Sequence, residues 1–127
     1  MKRVVDTSAW IEWLRDGAAA ETLKAHWPEP AETIVPTLVQ FELAKWLMRE
    51  VSEEAADQAI AHTERCIVAP LDTRIALRAA DLSGAHKLAA ADAIIYATAL
   101  EQGADCLTCD AHFERLENVL FVRKPRD

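Results

Sequence analysis

Short apolar runs alternate with longer helical patterns along this chain, and that alternation constrains its fold more than any other feature. The runs are residues 3–5, 33–35, 67–69, 106–109 and 119–122. Helical patterning is expected over residues 9–15, 18–27, 37–50, 52–65, 73–86 and 89–102, with a single turn at 111–115. Local signals mark several ends. Ser52 and Asp72 stand where N-caps belong, Gly103 follows a helix at the C′ position, and Thr37 with Gln40 has capping-box spacing. Strands alternating with helices form a parallel sheet with right-handed crossovers. Two helices between the second and third strands, and two more between the third and fourth, exceed the simplest crossover unit.

In such a sheet, strand C-termini and crossover-helix N-termini share one edge, where open α/β folds place their sites. Four carboxylates fall at that edge. Asp6 ends the first apolar run and Asp110 follows the fourth; Glu42 and Asp92 lie early in helices. Capping alone accounts for an Asp at a strand end, but not for Asp92, whose surroundings from Leu88 to Ala99 are nearly all small or apolar. A carboxylate there must pair, bind a metal or hold a proton. Grouped acids call for a hard divalent cation, and an all-oxygen donor set suits Mg²⁺ or Mn²⁺ better than Zn²⁺. The expected chemistry is phosphodiester hydrolysis. Asp6, Asp92 and Asp110 hold the metal, and Glu42 orients the attacking water or helps hold a second ion. Ser8 and Thr108 stand beside the first and last acids as supporting polar groups. His112 is assigned no catalytic role, and Tyr96 is read as packing, as are Phe113, Leu116 and Phe121.

Composition limits the alternatives. At 127 residues and 51% hydrophobic content, the chain suffices for one domain with one core and excludes wholesale disorder. No apolar stretch approaches membrane-spanning length. The first strand begins almost at Met1, so no signal peptide and a cytoplasmic location are the expectation. Cys66, Cys106 and Cys109 make an odd set without a second metal-binding pair, and are read as buried or half-buried thiols. A net charge of −7 opposes simple attraction to nucleic acid, although four of those charges belong to the acid group. Basic residues gather at Lys2 and Arg3, at Lys45 and Arg49 on one helix, and at Arg123, Lys124 and Arg126. Trp10, Trp13, Trp27, Trp46 and Tyr96, with Leu47 and Met48, are a large apolar payload for this length. They favour a homodimer through helices of the first half of the chain, with a further groove for a partner segment.

Four segments together resemble the PIN-domain family, in particular the small VapC-type toxin ribonucleases of bacterial toxin–antitoxin pairs. They are Val4-Val5-Asp6-Thr7-Ser8-Ala9, Phe41-Glu42, the stretch from Ala91 to Ala99 and the stretch from Leu107 to Phe113. The resemblance implies a five-stranded parallel sheet in the order 3-2-1-4-5, flanked by helices as a three-layer sandwich. It implies a Mg²⁺-dependent endoribonuclease using Asp6, Glu42, Asp92 and Asp110, with Ser8 and Thr108 as companions. It also implies a homodimer, an RNA substrate and a small antitoxin whose tail enters the acidic groove. The rivals are a non-catalytic PIN-like nucleic-acid-binding module and a phosphoryl-transfer protein. Phosphatases of the haloacid-dehalogenase type need a second acid two residues after the first, where this chain has Ser8.

Overall fold

The computed structural model describes residues 1–125; Arg126, counted above among the C-terminal basic residues, lies outside the described residues. Five strands, β1 (Arg3–Val5), β2 (Thr33–Pro36), β3 (Ile67–Ala69), β4 (Asp105–Thr108) and β5 (Val119–Phe121), form one sheet ordered β3-β2-β1-β4-β5. Every neighbouring pair is parallel. Six α-helices cover it: α1 (Thr7–Leu14), α2 (Ala20–His26), α3 (Thr37–Glu50), α4 (Glu53–Thr63), α5 (Thr73–His86) and α6 (Ala90–Glu101). Residues Ala111–Phe113 make a 3₁₀ turn between β4 and β5. The α/β class and strand order match the expectation.

Two clusters make the interior. The larger gathers Val4, Val5, Ile34, Val35 and Leu107 with Trp10, Val39 and Leu43 from the helices. The smaller packs Ile75, Ala79, Tyr96 and Phe113 together. Each such buried aliphatic or aromatic side chain contributes roughly 1.5–3 kcal/mol of transfer free energy. Tyr96 is buried and its hydroxyl donates to the Glu117 carbonyl at 2.8 Å, which fixes it as a packing residue. Phe113 is fully buried, whereas Leu116 and Phe121 are only partly covered, and the Arg123 guanidinium lies over the Phe121 ring.

Several element ends differ from expectation for tertiary reasons. Helix α1 starts at Thr7 rather than residue 9, because the Asp6 carbonyl already accepts from the N–H groups of Ala9 and Trp10. Strand β4 starts one residue earlier, with Asp105 opposite Arg3, whose guanidinium grips its carboxylate at 2.8 and 2.9 Å. Cys109 leaves the strand because its N–H goes to the Ser8 hydroxyl at 3.0 Å. The Thr37–Gln40 capping box does not form. Pro36 takes the N-cap position, the Thr37 hydroxyl accepts from Leu71 N–H, and the Gln40 amide donates to the Thr63 hydroxyl. The caps at Ser52 and Asp72 do form, accepting from Ala55 and Ile75, and Gly103 adopts a left-handed φ of 64°.

The tryptophans are used inside the protein. Trp10 is 1% exposed, and its ring meets Trp13 and Trp27 edge-on while those two stack at 4.4 Å. Trp46 is half-buried and Met48 exposed. The aromatic surplus that favoured an interface is thus partly absorbed by intramolecular packing, while Trp13 and Trp46 also line an open cleft. The cysteines are free, with Cys106 and Cys109 buried and Cys66 half-buried. No described helix is long and apolar enough to cross a membrane.

Candidate metal centre

The C-terminal edge of the sheet collects the acids. Asp6 leaves β1 as the N-cap of α1, yet its carboxylate makes no capping bond. Instead Oδ2 accepts from the Ser8 hydroxyl at 2.7 Å and the Thr108 hydroxyl at 2.8 Å. Those hydroxyls lie 3.2 Å apart, and Thr108 Oγ1 also accepts from the Asp110 N–H at 2.9 Å. The two companions thus lock β4, α1 and the first acid into one unit. Burial pushes the Asp6 carboxyl above the usual carboxylate range and the charge of Asp110 adds to this, while the Ser8 and Thr108 hydroxyls and the Thr7 N–H oppose it.

Glu42, one turn into α3, is half-buried. One of its oxygens accepts from the Thr7 hydroxyl at 2.8 Å, so the glutamate is tethered to the start of α1 rather than to Lys45. Asp92 sits in the first turn of α6. Its carboxyl is pushed up to about 6, first by burial and then by the charges of Asp110, Asp6 and Glu42, with His112 pulling the other way. The charges of the other three acids thus all act on the Asp92 carboxyl. Asp110 accepts from the His112 N–H and so caps the 3₁₀ turn while facing the crevice.

The tightest donor group is Asp92, Asp110 and His112, each offering an atom within 4.8 Å of the others. His112, assigned no catalytic role from the sequence, belongs to this donor group. Its Nδ1 lies 2.8 Å from Asp110 and 3.8 Å from Asp92, although the side chain is mostly exposed. Two residues beyond a strand-end acid, its direction depends on the 3₁₀ turn, which no spacing rule reveals. Asp6 and Glu42 stand outside this group but within its electrostatic reach. The donor chemistry fits a hard divalent ion: the neighbouring carboxylates raise the proton affinity of Asp92, and cation charge relieves that repulsion. The cysteines lie outside the donor group. Burial pushes the Cys106 thiol well up and that of Cys109 to about 11, so both stay protonated near neutrality.

Comparison of the sequence with curated proteins returns no match. Solved structures match closely in shape. A toxin–antitoxin complex from Klebsiella pneumoniae superposes with a TM-score of 0.83 at 20% identity, covering 98% of this chain and 100% of that one. The Mycobacterium tuberculosis VapC20 structure, described as a toxin that cleaves the sarcin–ricin loop, gives 0.80 at 23% identity, covering 96% and 99%. DNA-bound VapBC from Salmonella typhimurium gives 0.71 at 17% identity, covering 97% and 98%. At these identities what is shared is the fold. The sequence itself matches the PIN domain model over residues 3–119, and the chain belongs to the PIN domain family.

Proposed function

We propose that this chain, as one nuclease domain over residues 1–127, is a metal-dependent endoribonuclease acting as the toxin of a toxin–antitoxin pair, where RNA cleavage arrests translation or growth. The donor group around Asp92 and Asp110, with Asp6 joined to it through the Thr108 hydroxyl, carries this reading. Asp6, Asp92 and Asp110 would hold Mg²⁺, or Mn²⁺ in its place, with Glu42 completing the set. Such an ion supplies Lewis-acid charge to a scissile phosphate and acidifies a water. The protein contributes position. Ser8 and Thr108 hold Asp6 in one orientation, which spares reorganisation when substrate arrives. Glu42 keeps one oxygen on Thr7 and has the other to align the attacking water in line with the departing oxygen. Asp92 must ionise to serve, so a proton competes with the ion there and metal affinity should rise with pH through about 6.

The partners follow from the same reading. The fold is shared with toxin–antitoxin and VapBC complexes, which supports an antitoxin partner, while the homodimer rests on the family resemblance alone. An apolar cleft of about 340 Å³ between α1, α3 and α4, with Trp13, Leu14, Trp46 and Val51 in its wall, offers a seat for an antitoxin segment. The absence of a membrane-spanning helix among the described residues accords with a cytoplasmic site of action. The test is cleavage mapping on total cellular RNA with Mg²⁺. The native protein should cut at defined positions, and Asp6→Asn and Asp110→Asn should abolish cutting without unfolding. Equal cleavage by native protein and both variants would end the carboxylate mechanism.

A further inference from the structure

A second groove leaves the acid crevice along α3. Thr7 and Glu42 form its upper end, Ile11 and Trp46 its floor, and Lys45 and Arg49 its lower course. Phe41 stands at the rim and is 61% exposed, an unusual position for a phenylalanine with an apolar cleft nearby. The Lys45 ammonium lies 5.8 Å from the Phe41 ring centroid and forms no ion pair among the described residues. Among the described residues Arg49 ion-pairs only with its neighbour Glu50, at 3.3 Å on an exposed surface where such a pair is easily exchanged. Phe41, Lys45 and Arg49 are spaced i, i+4, i+8, so they form one stripe, with about 6 Å of rise between successive members.

We infer that this stripe is a binding subsite for single-stranded RNA, with an unstacked base on the Phe41 ring and the flanking phosphates at Lys45 and Arg49. The inference rests on the nuclease reading above and names how substrate enters that site. Three observations converge on it. The groove opens beside the acids, because Thr7, next to Asp6 in the chain, and Glu42 both line it and are hydrogen-bonded to each other at 2.8 Å. The molecule carries a net charge of −7, so its overall field repels a polyanion and attraction has to be local. An exposed aromatic face beside an unpaired lysine and an exposed, exchangeable arginine is the combination that grips single strands without base-specific hydrogen bonds. A duplex keeps its bases stacked and cannot use Phe41, so the subsite selects loops and unpaired segments.

The test uses the full chain carrying Asp6→Asn, with Mg²⁺ present, so that the strand is bound without being cut. Binding of fluorescein-labelled oligouridine is read by anisotropy across a salt series. Phe41→Ala should weaken binding about tenfold, while Phe41→Trp should preserve it. Lys45→Ala and Arg49→Ala should each weaken binding several-fold and flatten the salt dependence by about 0.7 in slope, and Lys45→Arg should restore it. Leu77→Ala, equally exposed on α5, should bind as the parent does. Unchanged binding in the Phe41 and Lys45 variants overturns the subsite. So does a change in sedimentation mass on Phe41→Ala with RNA affinity intact, which would make the stripe a self-association surface. The nuclease reading fails separately: native Asp6 protein that binds oligouridine through Phe41 yet cuts no RNA with Mg²⁺ would retain the subsite and lose the enzyme.

Discussion

Asp92→Asn is expected to make the metal-free protein more stable while destroying its response to divalent cations. The Asp92 carboxyl is displaced from 3.8 to about 6 by burial and by three neighbouring acids. Each pH unit of displacement is worth about 1.4 kcal/mol between the two protonation states. Ionised Asp92 therefore opposes folding by about 3 kcal/mol at most, and by about 1–2 kcal/mol once the water reaching an open crevice is allowed for. The sign follows from proton linkage. A folded-state value above the unfolded one favours the folded protein below pH 4, and that contribution is lost as pH rises through about 6. Urea titrations at pH 7.5 with chelator present should thus place the Asp92→Asn midpoint above that of the native protein, and the gap should close by pH 4. Adding Mg²⁺ should raise the native midpoint by ligand linkage and leave the variant nearly unmoved. A variant less stable than the native chain in chelator at pH 7.5 would refute the crowding argument; equal gains from Mg²⁺ in both would remove Asp92 from the metal site.

Thr108→Val should cost about 1–2 kcal/mol in urea unfolding, because the buried Thr108 hydroxyl serves both Asp6 and the Asp110 N–H; a neutral result would mean that the Ser8 hydroxyl suffices alone. Ser52→Ala should lose about 1 kcal/mol through the Ala55 N–H cap of α4, with RNA cleavage per folded molecule unchanged. A thiol reagent applied to the native protein should label Cys66 and spare Cys106, with mass spectrometry of the digest as the readout; prompt labelling of Cys106 would contradict its complete burial. Cysteine replacement at Cys106 and Cys109 should leave cleavage largely intact, since neither belongs to the donor group.

What the sequence revealed is what local chemistry determines. Short apolar runs ending in Asp6 and Asp110 are visible by eye, and the caps at Ser52 and Asp72 act within three residues of themselves. The strand order was implied by the family resemblance, because pairing between β1 and β4 joins residues about a hundred positions apart. Thr37 and Gln40 misled for the same reason: their partners, Leu71 and Thr63, come from other elements and outcompete a local cap. Glu12 was passed over altogether. It is 3% exposed, with an oxygen 3.6 Å from the Arg15 guanidinium and its carboxylate lying where a side chain on Gly17 would sit. Helix patterning treats a glutamate as a surface residue, and only the close approach of a glycine lets this one turn inward.

The place of β4 beside the central strand β1 has a consequence for the chain during its own synthesis. Until β4 arrives, β1 is paired on one side only, by β2, and its other edge lies open. Asp110 and Thr108 emerge with or just after that strand, so the emerging chain carries Asp6, Glu42 and Asp92 well before their fourth companion. Segments fold as they leave the ribosome, N-terminal parts first. Closing the open edge and completing the acid group are then one event, delayed until most of the polypeptide has been made. A truncated product ending before β4 therefore has neither a closed sheet nor the full set of proposed acids.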